Sequence, residues 1–590
     1  MSAALRLVFL LLLPLCAQAD ATQDLHRLFD AEWERGLRED PLGATFFGDM
    51  RYNHLLPDAS LDAIRASQKA DRDALARLKA IDRGALSAAD QLNYDTFGWQ
   101  LERTIERQRF REYLAPISHR GGLQTLHEAT EQLSFRRVKD YEDWIARLRG
   151  VGRLTDQVIV LMREGQAAGV MPPAVILKRV PAQLAAQRVE QAEASPFYAA
   201  FQRFPEDIAL ADRERLRAEA RAAISEVVLP AYERLSKAFN EDYLPKAPEG
   251  IAALERPDGK AWYEFLARYY TTTDLTPDAI HALGLTEVAR IRAAMEAVRQ
   301  EVGFAGTLEE FFTYLRTDPK FFHRSPEALL DAYRAVSKRI DPELVKVFRR
   351  LPRLPYGVRP IPASSAPDTT TAYYQPAAAD GSRAGFYYVN LYKPETRPTW
   401  EMMALSLHEA VPGHHFQFAL GLEMPDQPMF RRTAYFVAYG EGWGLYAESL
   451  GYEMGLYEDP YDRMGQLAYE MWRAVRLVVD TGMHYKGWSR ARAIDYFKAN
   501  APKTEQDIVN EIDRYLGAPG QALAYKIGQL KILELRTRAQ KALGESFDLR
   551  DFNDAVLATG SVPLAALERH IDAWIAAQAR GKSRGDPAKG

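Results

Sequence analysis

The chain reads as a mostly α-helical protein, a large helical body carrying a small antiparallel β element in its second half. Three observations predict this. Apolar residues recur at helical spacing through most of residues 24–350, as in 61–78, 142–163, 207–239, 277–302 and 326–338. Helix starts are well marked: Thr276-Pro277-Asp278 and Ser325-Pro326-Glu327 each place a capping hydroxyl before a first-turn proline. β-rich runs occur only between 351 and 398, at 369–374 and 385–392, joined through the turn signal Asp380-Gly381, which predicts a hairpin. Helical pattern returns at Thr399 and continues to about 579, and no fixed-period repeat suggests a solenoid.

The ends and the composition bound the rest. Residues 1–19 have the form of an export leader: Arg6, an apolar run at 7–15, and Ala17-Gln18-Ala19 as a small-x-small cleavage site. The run is shorter than the roughly 20 residues a membrane span needs. Lipidation at Cys16 is the alternative, opposed by bulky Leu15 where lipoprotein signals prefer a small residue. The reading is therefore an exported protein, periplasmic or secreted, without stable membrane association after cleavage. Cys16 is the only cysteine, so the mature chain has neither disulfide nor thiolate ligand. A net charge of −4 over 590 residues offers no nucleic-acid surface, and the basic tail, 581–590, reads as a flexible terminus. The composition change at Leu351 divides the chain into a helical region, 20–350, and a hairpin plus helical core, 351–580.

The chemistry concentrates in Leu405-Ser406-Leu407-His408-Glu409-Ala410-Val411-Pro412-Gly413-His414-His415-Phe416-Gln417. Four of the eleven histidines fall between His408 and His484. Neutral imidazole nitrogens bind zinc, and an adjacent carboxylate can take a proton from an attacking water. A helix over 400–411 would carry His408 and Glu409. Zinc helices usually space two histidines four apart, but position 412 is proline, which cannot donate to the carbonyl of His408, so a kink or bulge is expected. In an undistorted helix His414 would sit about 240° round from His408. A two-residue bulge would bring it into place, so His414 is favoured over His415 as second ligand, with the other supporting a ligand or serving substrate. Glu441, in Gly440-Glu441-Gly442-Trp443-Gly444, is the third candidate ligand, between glycines that allow close helix approach. Glu448, seven residues on, could orient a ligand histidine. The plain alternative, pairing of both acids with surface cations, fits poorly with their apolar surroundings.

These motifs, with Asp480-Thr481-Gly482-Met483-His484-Tyr485 and Pro519-Gly520-Gln521-Ala522-Leu523-Ala524-Tyr525-Lys526, resemble those of domain-of-unknown-function family 885. Through it the chain resembles the glutamate-type zinc metallopeptidases near the angiotensin-converting-enzyme, thimet-oligopeptidase and thermostable-carboxypeptidase groups. The resemblance implies a helical ellipsoid with a central channel, one zinc ion and peptide substrates.

Further roles follow from the chemistry such a site needs. Glu409 fits the base. His484, Tyr485 and Tyr525 are candidate donors to the developing oxyanion, because an imidazole or a phenol donates without adding a nucleophile. Tyr388 and Asn390 lie on a run that, as an exposed edge strand, would pair with an extended peptide; ordinary closure of the bundle is the alternative. Arg473, Arg476 and Lys526 are candidates for a substrate carboxylate, which would mean trimming from the C-terminus. The competing functions are hydrolysis of non-peptide amides or esters at the same site, and a non-catalytic helical binding protein. No nucleophile elbow, phosphate loop or dinucleotide fingerprint supports another enzyme class.

Overall fold

A computed structural model describes residues 3–584 apart from 364–365, 379–380 and 382, with backbone alone for 3–19, 132, 368 and 581–584. The leader's cleavage site, Asp380 of the hairpin turn and the tail therefore fall outside the described side chains. The backbone Ala3–Glu39 is helical, and no described helix is long and apolar enough to cross a membrane. The protein is mostly helical with one three-stranded sheet. It divides into two compact units, Met1–Ile251 with Glu255–Asp258 and Pro428–Phe430, and the remainder. The division falls earlier than the composition change at Leu351.

In the first unit the helix Val138–Ala168 buries Tyr141, Trp144, Leu148 and Val151 against Leu216, Ile224, Tyr232 and Phe239. The sequence predicts one helix over 207–239. The structure interrupts it with π-helical turns at Ile224–Val228 and Ala238–Tyr243. Pro230 and Pro245 explain both, since each removes the donor to a carbonyl inside the widened turn.

The second unit carries the hairpin and the histidine motif. Thr276 and Ser325 cap the helices Pro277–Glu301 and Pro326–Ile340 as their sequences predict, each side chain accepting from the third residue on. Strand β2 (Ala372–Gln375) pairs antiparallel with β3 (Gly385–Val389), as expected. The sequence did not suggest β1 (Tyr356–Pro360), which pairs parallel with β3 from the other side, so the order is β1-β3-β2. This corrects the edge-strand expectation: the strand carrying Tyr388 is central, with both edges filled, and cannot accept a peptide strand. Tyr387 on its buried face packs on Tyr333 and lies 3.5 Å from Ser406, which seats the histidine-bearing helix over the sheet.

Candidate metal centre

The helix expected over 400–411 is a 3-10 turn, Thr399–Glu401, followed by Met402–Glu409, every residue of which is buried. It stops at Glu409 instead of kinking. Residues 410–413, with a cis Val411–Pro412 bond, reverse the backbone, and a second helix begins at His414 (His414–Leu422). The break carries out what a bulge was expected to do: it brings His414 beside His408, with ring centroids 4.7 Å apart and nearly perpendicular.

Glu441 approaches both rings from the helix Val437–Met454. Two glycine positions make this possible. At Gly444 a Cβ would lie 2.7 Å from the His408 ring, and at Gly442 it would lie 2.5 Å from Gly528, where the helix crosses Ala524–Leu543. Glu441 Oε2 lies 3.5 Å from His408 Nε2 and 3.3 Å from His414 Nε2. One donor atom from each of the three residues falls within 4.8 Å of the others, so the group could hold a metal ion. Zinc holds nitrogen and oxygen donors at about 2.1 Å in a tetrahedron, whose edges are then about 3.4 Å. The Glu441–histidine separations match that edge, and two imidazoles with a carboxylate are a donor set zinc accepts. The residues fit the ion.

A second tier fixes the first. His408 Nδ1 sits 2.8 Å from Glu448 Oε1, leaving Nε2 to face Glu441. Tyr435 donates to the far oxygen of Glu441 at 2.9 Å. Although Tyr435 is 39 % exposed, its hydroxyl is turned inward. Burial, then the Glu441 charge, raises that phenol well above its ordinary range, so it stays a donor. Burial disfavours a charged His408, but hydrogen bonds to Glu441 and Glu448 prevail and hold it at about 9. Burial likewise opposes a charged Glu441, yet the two histidines keep it well below the usual carboxylate range. The site is built for positive charge.

Glu409 is buried next to His408 and makes no hydrogen bond or ion pair with another described residue. Its charge acts on His408, Tyr387 and Tyr435. Tyr525, from the neighbouring helix, also acts on the Tyr435 hydroxyl, and the Arg514 charge acts on Tyr525. Sequence reasoning missed Tyr435. It lies in no motif and reaches Glu441 from the loop before the helix.

Other expected site residues are occupied elsewhere. His415 is buried with Nδ1 2.9 Å from the Tyr374 hydroxyl and Nε2 3.1 Å from the Leu354 carbonyl, clamping the strand ends, so it is neither ligand nor substrate group. His484 has Nε2 on the Tyr515 carbonyl at 3.0 Å and Nδ1 accepting from Ala253 at 3.2 Å, which corrects its reading as oxyanion donor. Tyr485 donates to Glu264 and stacks on Tyr263, away from the triad's contacts. Asn390 spends its amide on the carbonyls of Ala366, Thr369 and Thr370 and its oxygen on Tyr392, holding a loop. Tyr388 stacks on Tyr373. Lys526 is wholly buried among Glu287, Glu470 and Gln529, which leaves it no capacity for a substrate carboxylate. Arg476 pairs with Glu511 at 3.0 Å and packs on Tyr525.

Comparison with known proteins places the chain. Residues 41–571 match a family described as "Bacterial protein of unknown function (DUF885)", and the chain belongs to that family. A solved structure, "the putative lipoprotein from Colwellia psychrerythraea", is 30% identical with a TM-score of 0.89, covering 94% of this chain and 99% of that one. A second, "a putative lipoprotein of unknown function from Shewanella oneidensis", shares the fold at 16% identity with a TM-score of 0.69, covering 92% and 99%. No curated protein matches the chain.

Proposed function

We propose that this member of the DUF885 family is an exported zinc-dependent peptidase that hydrolyses oligopeptides with a water molecule as nucleophile. One observation carries the reading: three ligand-type side chains whose donor atoms lie within 4.8 Å of one another, Glu441 at tetrahedral-edge distance from both histidines, with a buried, unpartnered carboxylate on the residue next to the first. A bound zinc ion would supply Lewis acidity, making water a usable nucleophile near neutral pH and polarising the scissile carbonyl.

The chain's own residues supply the rest. His408, His414 and Glu441 would hold the ion, Glu448 orients His408, and Tyr435 fixes which oxygen Glu441 presents. Glu409 accepts the proton of the attacking water and passes it to the departing amine; free of competing partners, it has the capacity to do both. Tyr525, whose charge state acts on Tyr435, is the remaining candidate for hydrogen bonding to the developing oxyanion.

Export belongs to the same reading. Both solved neighbours bear the description lipoprotein, which supports a leader at 1–19 and keeps Cys16 as the lipid-acceptor alternative. The mass of the mature chain distinguishes cleavage after Ala19 from a lipidated Cys16.

The functional test is an array of oligopeptides and small non-peptide amides and esters, assayed with zinc and again with chelator. Zinc-restored cleavage confined to peptides is expected. Cleavage of esters alone would move the substrate class, and no zinc-dependent turnover of any compound would overturn the reading.

A further inference from the structure

Beside the metal centre three guanidiniums are buried with too few acids to match them. Arg473 and Arg476 lie on the helix Pro460–Tyr485, and Arg514 on Glu505–Gly517. Arg476 and Arg514 share one carboxylate, Glu511, at 3.0 and 3.1 Å. Arg473 donates from Nη1 to the Tyr469 carbonyl at 3.3 Å, and the one acid it reaches among the described residues is Glu448, whose Oε1, 3.5 Å away, His408 already holds at 2.8 Å. The next acid on the same helix, Asp480, is committed to the Tyr263 hydroxyl and the Gly520 amide. Burial raises its carboxyl to about 7, and the Arg514 and Arg476 charges oppose that rise.

The donors are also in surplus. Arg476 Nη1, Arg473 Nε and Arg514 Nε are buried without a hydrogen-bond partner among the described residues. A buried guanidinium left partly unpaired is costly, so such capacity persists where something else fills it. The cluster centres on Tyr525. The Arg476 guanidinium lies 4.2 Å from its ring centroid and that of Arg473 5.9 Å, and the Arg514 charge acts on it. Tyr525 in turn acts on Tyr435, whose hydroxyl is on the ligand Glu441. Arg473 also lies 3.5 Å from Glu448, the acid that holds His408, so the group adjoins the metal centre. The Arg473 and Arg476 side chains each keep 5% of their surface accessible and Tyr525 keeps 8%, while the vacant nitrogens themselves lie beneath that surface.

We infer that Arg473, Arg476 and Arg514, gathered round Tyr525, form a subsite for a carboxylate of the peptide substrate, its free C-terminus. A planar carboxylate would take two of the vacant guanidinium donors and balance the third positive charge. The inference deepens the peptidase reading and rests on it for the words "peptide substrate".

The test uses three probes on the zinc-loaded full chain: N-acetyl-tetraalanine as free acid, the same peptide as C-terminal amide, and N-acetyl-trialanyl-glutamate amide, which carries its carboxylate on a side chain. Cleavage is measured on the wild type, and binding on Glu409→Gln by titration calorimetry. The free acid is expected to exceed the plain amide by about tenfold or more in kcat/KM and in affinity. In Arg476→Lys that preference, taken as the ratio of free acid to plain amide within the variant, should fall by about tenfold through KM. A glutamate amide that matches the free acid would assign the carboxylate to the side chain instead of the terminus. Equal handling of all three peptides by the wild type would overturn the subsite without any appeal to a variant. Selective binding of the free acid with no turnover would sink the peptidase reading and leave the subsite standing.

Discussion

His414 and His415 are neighbours in the chain, both buried, and they belong to two different kinds of region. Around His415 every polar capacity is used: both ring nitrogens are engaged, and burial pushes its imidazole down to about 4. The Lys526 network, the Asn390 loop and the His484 contacts share this character. Around His414 capacity is left over. Its Nε2 faces a carboxylate oxygen that faces a second imidazole, and Glu409 nearby has no partner among the described residues. Buried polar groups are ordinarily satisfied, so unfilled capacity marks the place where a ligand belongs. Residue type alone did not separate the two regions. Bonding did.

The largest expected effect tests the unpartnered acid. Glu409→Gln should retain zinc while peptide turnover falls on the order of 10³-fold, within the range a general base contributes. Turnover near wild type, with metal present, would move the base elsewhere. Lys526→Met probes the satisfied region: removing one partner of a buried ion network should cost about 3–5 kcal/mol in denaturant unfolding and leave zinc stoichiometry intact. Zinc loss without destabilisation would join the two regions that the comparison separates.

Glu448→Gln should weaken zinc binding by about 10–100-fold, because the Nδ1 partner of His408 loses its charge. Competition with a chelator of known affinity measures it, and an unchanged affinity would make Glu448 a packing residue. The smallest effect is in pH. Burial pushes His484 down to about 4, opposed only weakly by its bond to the Tyr515 carbonyl, against about 6.5 when unfolded. The unfolded chain therefore takes up a proton first as pH falls. Stability from this group is complete above 6.5 and declines toward 4, by up to about 3 kcal/mol. His484→Gln should flatten that decline in thermal unfolding, and a slope equal to wild type would contradict it.

Much of this was legible before the structure. Helical periodicity gave the long helices, and the hydroxyl-proline starts at Thr276 and Ser325 were capped as read. His408 and Glu409 were conspicuous as a pair, and Glu441 stood out between glycines that permit close helix approach; the structure shows Gly442 making room for Gly528 and Gly444 for the His408 ring. Pro412 announced a disturbance but not its size: loss of one donor predicts a kink, whereas the chain reverses and starts a new helix. β1 was hidden because Pro355 and Pro360 bound it, leaving a short run without alternation. Its absence from the reading made β3 look like an edge. Tyr435, Glu511 and Arg514 were invisible for a different reason. Their roles depend on which distant side chains meet, and no local pattern records that. The same blindness made His484, Asn390 and Lys526 look available, since a sequence shows donors and acceptors but not what already fills them.

Zinc bound per chain, measured by elemental analysis on purified wild type, His414→Ala and His415→Ala, tests the central claim most directly. One equivalent in the wild type and in His415→Ala, with little or none in His414→Ala, is the predicted result. No zinc in the wild type, or equal retention by both variants, would contradict it.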